Sequence, residues 1–242
     1  MEDFFWHLRT SDLFEGLPAE VKKAFFDKAS LRILRKKEYV FKENEPVFSC
    51  FYLKKGIVRI FRVSKNGKEA VLFIHNDGAL FGLAEIINNK TRKSNAQALS
   101  PCQIYSIARE DFEELLEHNP CLSRRIIDTL GSRVRYLGEK LESLMVDSVP
   151  VRLIKILLCL SVEAIYKSQK PVNVPFSLSQ YDFATMTGSC QQTVSEILKK
   201  VNFHSKCKMV RRSFGVLQQS IPVPSSSRGP FSADCLYGIF PS

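Results

Sequence analysis

Polar side chains on one face of the segment Ser179–Val201 could hydrogen-bond to DNA. Glutamine amides match the adenine edge, and lysine ammonium groups neutralise phosphates. The opposite face is apolar, since its hydrophobic residues recur at i, i+3, i+4 and i+7: Val194, Ile197, Leu198 and Val201. The predicted DNA contacts are Ser189, Gln191, Gln192, Thr193, Ser195, Glu196, Lys199 and Lys200.

Two helices joined by a tight turn must position this polar face. Ser189 is predicted to cap the second helix, and Gln192 to reach back to it in a capping box that follows Thr187-Gly188. The first helix has its own apolar residues: Leu178, Phe183, Ala184 and Met186. The pattern fits a helix-turn-helix, and it also fits a plain helical hairpin.

Other chemistry has less support in the sequence. The seven cysteines are scattered without a C-x-x-C pair, which disfavours a disulfide framework and a zinc site of ordinary spacing. His75 precedes Asn76-Asp77-Gly78 and is interpreted as a turn-exposed imidazole rather than a haem ligand, and His7 and His118 show no partner. No pattern of catalytic residues stands out, so the sequence does not predict an enzyme.

Composition favours an ordinary globular protein with an anionic partner. The 242 residues are 45% hydrophobic and carry a net charge of +10. Residues 147–242 contain eleven Lys/Arg and five Asp/Glu, so six of those ten charges lie in the part that holds the helix pair. The sequence begins with acidic residues and has no apolar run of membrane-spanning length, which predicts a cytoplasmic protein without a membrane partner.

The sequence pattern of the first half of the chain predicts mainly β-strands. A helix is predicted over residues 12–29, and short β-type runs follow between Leu31 and Ile107. The predicted strands are Leu31–Leu34, Tyr39–Phe41, Cys50–Leu53, Ile57–Val63, Ala70–Ile74 and Gln103–Ile107. Asn66-Gly67 predicts a two-residue hairpin turn. The fold class is therefore α+β, with the short strands forming an N-terminal sandwich or roll.

A long helix is predicted to start near Arg109 and to be rearranged once near Pro120. Its apolar residues alternate spacings of three and four, which is a heptad seam: Ile127, Leu130, Val134, Leu137, Leu141 and Leu144. This seam predicts a dimerisation helix, although a long helix packed on its own domain remains an alternative. Pro150 then marks the boundary to the segment that holds the helix pair.

The order of these elements resembles the Crp–Fnr superfamily of transcription regulators over roughly residues 10–200. The resemblance rests on residues 51–60 (FYLKKGIVRI), Phe81-Gly82 before a short helix, residues 96–99 with 102–107, and residues 178–180 through 193–195. It implies an effector-sensing β-roll of the double-stranded β-helix, jelly-roll-like type at 1–108. A dimerisation helix at 109–146 and a helix-turn-helix domain at 147–217 are implied to follow. A tail at 218–242, rich in Pro and Ser, is predicted to be disordered.

The resemblance also implies a mechanism and a set of partners. The β-roll binds a small effector or senses a signal, the long helix transmits the change across a homodimer, and the helix-turn-helix recognises a palindromic promoter site in double-stranded DNA. RNA polymerase is a further candidate partner. A rival hypothesis is a ligand-sensing module that acts through protein contacts, with impaired or no operator binding.

The effector pocket implied by the resemblance comprises Phe81, Gly82, Leu83, Glu85, Arg92 and Lys93. Cyclic-nucleotide binders of the superfamily place a Glu directly after Phe-Gly and a small hydroxyl residue after the downstream Arg. Here Leu83 and Lys93 stand at those places, so cyclic AMP is disfavoured. No cysteine precedes Cys50, and therefore the N-terminal iron–sulfur cluster of Fnr-type sensors is not predicted either. The effector and any cofactor are unassigned.

The start of the second helix departs from its relatives, which commonly carry Arg-Glu-Thr-Val-Ser-Arg. This chain has Gln191 and Gln192 before Thr-Val-Ser, and Glu196 after it. Because a glutamine amide can pair with the adenine edge, we hypothesise that Gln191 or Gln192 contacts adenine.

The expected wing is also unusual. One interpretation is a divergent wing with a single strand at Met209–Leu217, and the other is a reading-frame shift near Val201.

Overall fold

The computed structural model describes residues 12–88, 90–157 and 178–205. The strands in these ranges are β1 (Ser30–Leu34), β2 (Tyr39–Phe41), β3 (Ser49–Lys55), β4 (Val58–Val63), β5 (Glu69–His75), β6 (Leu80–Phe81), β7 (Asn95–Ala98) and β8 (Cys102–Ala108). The helices are α1 (Ala19–Lys28), α2 (Leu83–Asn88), α3 (Arg109–His118), α4 (Pro120–Val146), α5 (149–157), α6 (Gln180–Thr187) and α7 (Gln191–Ser205). The predicted wing and tail lie outside the described residues.

The eight strands form two antiparallel sheets of four, in the orders β1-β8-β3-β6 and β2-β7-β4-β5. The chain changes sheet at most of its turns, which is the winding of a β-roll. Apolar side chains between the sheets form its interior, and they include Phe41, Phe51, Leu53, Ile60, Phe81 and Ile104. The predicted α+β fold with an N-terminal β-roll is confirmed, and each of the six strands predicted between Leu31 and Ile107 is present.

Strands β6 and β7 are not predicted by the sequence pattern. β6 has only two residues, and β7 consists of Asn, Ala, Gln and Ala, which have low strand propensity. Position explains β7, because Ala96 and Ala98 are completely or almost completely buried in the inter-sheet core.

The hairpin predicted at Asn66-Gly67 joins β4 to β5, but its loop is longer than predicted. The Ser64 amide donates to the Lys68 carbonyl (2.8 Å), and the Gly67 amide donates to the Ser64 carbonyl (2.9 Å). Within the loop Gly67 alone has a positive φ, +74°. A three-residue loop with one left-handed glycine therefore replaces the predicted two-residue turn.

Helices α1, α3 and the first part of α4 pack on the outer face of the β1-β8-β3-β6 sheet. Phe25 of α1 and Phe112 of α3 are fully buried there, together with Leu122 of α4. Edge-on ring contacts join Phe14 to Phe25 (5.1 Å) and to Tyr52 of β3 (5.1 Å). This second core is continuous with the long helix, and so it fixes that helix relative to the β-roll.

The predicted opening helix is shorter than expected. Residues before Pro18 form turns, because a proline disfavours helical backbone in the residue that precedes it. Asp12 holds these turns, since its carboxylate accepts from the Phe14 amide and the Tyr52 hydroxyl, each at 3.0 Å. The prediction of a helix over 12–29 is thus wrong for residues 12–18.

The break predicted near Pro120 is confirmed. Asn119 lies between α3 and α4, and its side chain donates to the carbonyl of Leu115 (2.8 Å) at the end of α3. Pro120 then opens α4, where its missing amide hydrogen has no cost.

Candidate nucleic-acid interface and effector region

The helix pair predicted from the sequence is present as α6 and α7. Ser179 caps α6 in a capping box with Asp182: the Ser179 hydroxyl accepts from the Asp182 amide (3.2 Å), and the Ser179 amide donates to the Asp182 carboxylate (2.7 Å). The helix ends at Gly188, which has a left-handed backbone with φ +65°. The capping box thus lies on the first helix rather than the second.

The cap predicted at Ser189 for the second helix is wrong by one residue. The Ser189 amide donates to the Ala184 carbonyl (3.0 Å), so this residue completes the end of α6. Cys190 caps α7 instead, with its Sγ 3.0 Å from the Thr193 hydroxyl. Hydrogen bonding by Thr193 lowers the pKa of this exposed thiol. The Gln192 side chain donates to Glu196 (3.3 Å) and does not return to the cap.

The two faces of α7 differ as the sequence predicts. Val194, Ile197 and Leu198 are buried in a cluster with the apolar residues of α6. The predicted DNA contacts that are exposed to solvent are Gln191, Gln192, Glu196, Lys199 and Lys200, and those that are half-buried are Ser189, Thr193 and Ser195. The second helix therefore presents a polar face on the side opposite its buried residues.

The helix pair packs against the outer face of the β4–β5 hairpin. Phe61 of β4 and Val71 of β5 share one apolar cluster with Phe183 and Met186 of α6. Tyr181 of α6 also lies near the carboxylate of Glu69 in β5. The sequence gives no indication of this contact, because it joins residues more than a hundred positions apart.

A polar network anchors that contact within the sheet. Arg59 forms an ion pair with Glu69 (2.8 Å) and donates twice to the Gln97 side chain (3.0 and 2.7 Å). From the other side, Arg152 of α5 donates to the carbonyls of Thr187 and Asp147, each at 2.8 Å. These bonds tie the helix pair both to the β-roll and to the end of α4.

The second half of α4 presents apolar side chains to solvent. Val134 is 70% exposed and Leu141 is 60% exposed, which is unusual for large aliphatic residues. Most of the predicted seam shares this exposure: Ile127, Val134, Leu137, Leu141 and Leu144. Leu130 is half-buried against the core under α1. A stripe of this kind on a helix is the expected surface for a second helix.

The predicted effector residues cluster at the end of the β-roll near α2. Arg92 is only 2% exposed, and its guanidinium donates to the carbonyls of Gly82 (2.8 Å) and Ser49. It also lies 3.4 Å from the Glu85 carboxylate and over the ring of Phe41.

The other predicted residues of this region lie around Arg92. Phe81 and Leu83 are almost completely buried, whereas Lys93 is exposed. Gly82 has φ +75°, and a side chain there would approach the Arg92 guanidinium to 3.0 Å. The structure therefore brings most of this set together, with Arg92 bound to the protein's own main chain.

A column of stacked rings fills the adjoining interior. His75 lies between Phe81 (5.5 Å) and Phe73 (5.9 Å), with nearly parallel planes. Phe73 continues the column to Tyr136 on α4. The interpretation of His75 as turn-exposed is therefore wrong: it is the last residue of β5, and it is buried beneath α4.

Helix α4 faces this region with cationic side chains. Arg133 donates to the carbonyl of Leu80, and Lys140 donates to the carbonyl of Val71 (2.6 Å). Burial lowers the pKa of Arg133 to about 10. The signal in the sequence is the seven-residue spacing of Arg133 and Lys140, which places them on one face of the helix, on the flank of the heptad seam.

The buried imidazole predicts acid sensitivity. Burial, and secondarily the charge of Arg133, hold the pKa of His75 well below its ordinary value. Below about pH 6.5 the unfolded chain binds a proton that the folded chain excludes, so stability is lost as pH falls. Urea unfolding at pH 7 and pH 5.5 is expected to show a loss of about 1 kcal/mol that His75→Phe abolishes. His118→Gln, which changes an exposed histidine, should keep the loss; its disappearance there would contradict the assignment.

Comparison with known proteins agrees with this architecture. The family model described as a cyclic nucleotide-binding domain matches residues 31–119. A global nitrogen regulator of Nostoc sp. is 26% identical over 175 residues, which cover 69% of this chain and 78% of the relative. The CRP-like cAMP-activated global transcriptional regulator of Mycobacterium tuberculosis is 27% identical over 159 residues, 66% of this chain and 71% of that protein. The family-model match and these relatives support placing the chain in the Crp–Fnr superfamily.

A solved member of the Crp–Fnr superfamily shares the fold along most of the chain. The c-di-GMP responsive global regulator CLP of Xanthomonas campestris superposes with a TM-score of 0.73 at 21% identity, covering 84% of this chain and all of that one. This likeness concerns the fold alone.

Within the described residues, no helix is long and apolar enough to cross a membrane. In the same residues no group of three His, Cys, Asp or Glu side chains could hold a metal ion.

Proposed function

We propose that this chain is a homodimeric, DNA-binding transcription regulator of the Crp–Fnr type, whose promoter binding responds to a signal received by the β-roll. One observation carries the proposal: Gln191, Gln192 and Glu196 are exposed to solvent on the second helix of a capped helix-turn-helix. The protein acts by binding rather than by catalysis. Because its target is promoter DNA, it works in the cytoplasm, and RNA polymerase is the partner through which it alters transcription.

The contacts with DNA are assigned to the polar residues of α7. Gln191 and Gln192 lie at the N-terminal end of the helix, which enters the major groove first in helix-turn-helix complexes. Thr193 follows in the same turn, Ser195 lies about one turn further along, and Lys199 and Lys200 are placed for phosphates. Ser189 lies at the entrance to α7 and serves as a phosphate contact rather than as the cap. Glu196, held by Gln192, is suited to accept from a cytosine amine.

Dimerisation follows from the exposed seam of α4, through Ile127, Leu130, Val134, Leu137, Leu141 and Leu144. A parallel pair of these helices relates two α7 helices by a two-fold axis, so the target site is palindromic. The chain divides into a sensing β-roll at 1–108, a dimerisation helix at 109–146 and a DNA-binding part at 147–217. Residues 218–242 remain a predicted tail.

The effector site is assigned to the region of Phe81, Gly82, Leu83, Glu85, Arg92 and Lys93. The cAMP-activated and c-di-GMP responsive relatives support a small effector as the signal. Cyclic AMP stays disfavoured, because Arg92 is occupied by the carbonyls of Gly82 and Ser49. A phosphate could engage this guanidinium only at the expense of those bonds.

The rival function, a sensing module without an operator of its own, has less support. The relatives from Nostoc and Mycobacterium are both regulators by name, and the polar face of α7 is free to reach DNA.

Binding-site selection from a randomised duplex library tests the proposed function. The full chain is expected to enrich an inverted repeat with adenine at the step contacted by Gln191 or Gln192. Gln191→Ala or Gln192→Ala should reduce discrimination at that step by about 10- to 100-fold, because one bidentate pair is removed. Glu20→Ala on exposed α1 is the control and should leave the consensus unchanged. A G-centred consensus without adenine at that step would contradict the assignment.

A further inference from the structure

The loop between β4 and β5 carries a compact group of cations. Residues 62–68 are all exposed, and they include Arg62, Lys65 and Lys68, which we call the basic hairpin tip. Arg62 lies 3.7 Å from Glu43, at the long end of ion-pair distances. Lys65 and Lys68 form no ion pair with any residue that the structure describes. Lys65 and Lys68 therefore present positive charge that no acidic residue in the described part of the chain neutralises.

The adjoining acidic residue cannot neutralise these lysines. Glu69 follows Lys68 directly, but its carboxylate is paired with the Arg59 guanidinium at 2.8 Å. Arg59 is buried, so this pair is a fixed part of the sheet.

The tip also has a defined conformation. The Lys68 amide donates to the Ser64 side chain (3.1 Å), and the Ser64 amide donates to the Lys68 carbonyl (2.8 Å). Gly67 supplies the left-handed residue that closes the loop. Because the backbone is ordered in advance, contact with a partner costs mainly the freedom of the lysine side chains.

Position selects the partner. The apolar cluster of Phe183 with Phe61 and Val71 places α6 against the β4–β5 hairpin, whose tip carries Lys65 and Lys68. In helix-turn-helix complexes the first helix crosses the DNA backbone while the second enters the groove. The anions nearest to the tip in such a complex are phosphates next to those approached by α6.

We propose that the basic hairpin tip binds backbone phosphates that flank each half-site, so that the β-roll itself forms part of the DNA interface. This inference rests on the proposed DNA-binding function. It makes the operator longer than the groove read by α7, and it links β5 to DNA both directly and through α6. The contact is independent of base sequence, since lysines neutralise phosphates without distinguishing bases.

The test compares two doubly substituted full-length proteins with the parent chain. Lys65→Gln with Lys68→Gln removes two charges from the tip, and Lys22→Gln with Lys23→Gln removes two exposed charges from α1 as a matched control. Fluorescence anisotropy measures affinity for the selected duplex, with long flanks and with flanks trimmed to the half-sites, across a series of salt concentrations.

The tip variant is expected to bind the long duplex about tenfold more weakly at moderate salt, with its salt slope reduced by about one unit for each phosphate that is no longer neutralised. The α1 variant should match the parent, and trimming the flanks should remove the difference. Equal affinity and slope for the tip variant and the parent on the long duplex would overturn the proposal and leave the proposed function intact. Unchanged DNA binding with reduced transcription by purified polymerase would also overturn it, in favour of a protein partner. If the parent binds no specific duplex, the proposed function itself fails.

Discussion

Replacing Leu141 by glutamate is expected to convert the protein into a monomer that binds its operator weakly. Leu141 is 60% exposed in the single chain and lies in the centre of an apolar stripe. In a two-helix interface the substitution would bury a carboxylate without a partner, and the two-fold axis would bring two such charges together. We expect a loss of about 3 kcal/mol in dimer stability, roughly a hundredfold in the dissociation constant.

Sedimentation velocity measures this effect directly, and a matched substitution controls for an added charge. Leu31 of β1 is a similarly exposed leucine, 50% accessible, but it lies on the β-roll away from the seam. Leu31→Glu should remain dimeric and should bind DNA as the parent does. A dimeric Leu141→Glu protein would show that the stripe on α4 is covered in some other way.

Arg92→Ala is expected to destabilise the β-roll by about 3–5 kcal/mol without any ligand present. The substitution leaves the carbonyls of Gly82 and Ser49 without their donor and the Glu85 carboxylate without its cation. It also removes the packing of the guanidinium over Phe41, in which Arg92 Cζ lies 4.1 Å from the centroid of the Phe41 ring. For a chain of this size the loss corresponds to a fall in Tm of about 6–12 °C.

Calorimetry of the protein without added nucleotide separates a structural Arg92 from one that is held ready for a ligand. Arg124→Ala is the control, because that side chain is largely exposed and its one ion pair within the described residues is with Asp128 (3.4 Å). It should change the free energy of unfolding by less than about 0.5 kcal/mol. If Arg92→Ala unfolds at the parent's temperature but abolishes a response to added nucleotide, the guanidinium contacts the effector instead.

Elements with a strong periodic pattern can be predicted from the sequence. The heptad spacing on α4 and the apolar face of α7 depend on repeats within one helix, and both are present with the predicted residues buried or exposed. The six predicted strands contain β-branched and aromatic residues that favour extended backbone. The two-residue β6 and the alanine-rich β7 are not predicted from the sequence, because their pairing with neighbouring strands, rather than their composition, makes them strands.

Details that depend on the neighbouring backbone are harder to predict from the sequence. Ser189 has the right residue type for a cap, but the end of α6 uses its amide, so Cys190 becomes the cap. His75 precedes three turn-forming residues, which suggests exposure; the return of α4 over the β-roll buries it. Neither outcome has a signal in the local sequence, since both depend on where a distant or preceding helix ends.

The site is predicted in part for the same reason. The residues on α7 can be identified from one helix, whereas the Tyr181–Glu69 contact and the stacked rings at Phe73, His75 and Phe81 join separate strands and helices. Long-range contacts of this kind couple the β-roll to the helix pair. They make the β4–β5 hairpin the structural link between the sensing region and the DNA-binding face.

Two copies of this chain are expected to bind one two-fold symmetric operator through their α7 helices. Fluorescence anisotropy measures the affinity of the protein for the selected duplex and for the same duplex with one half-site scrambled. Sedimentation gives the number of protomers bound to each duplex. We predict two protomers on the intact duplex, affinity that falls steeply with salt, and binding at least about 100-fold weaker to the scrambled duplex. Equal affinity for the two duplexes, or one protomer on the intact duplex, would contradict a symmetric dimer on DNA.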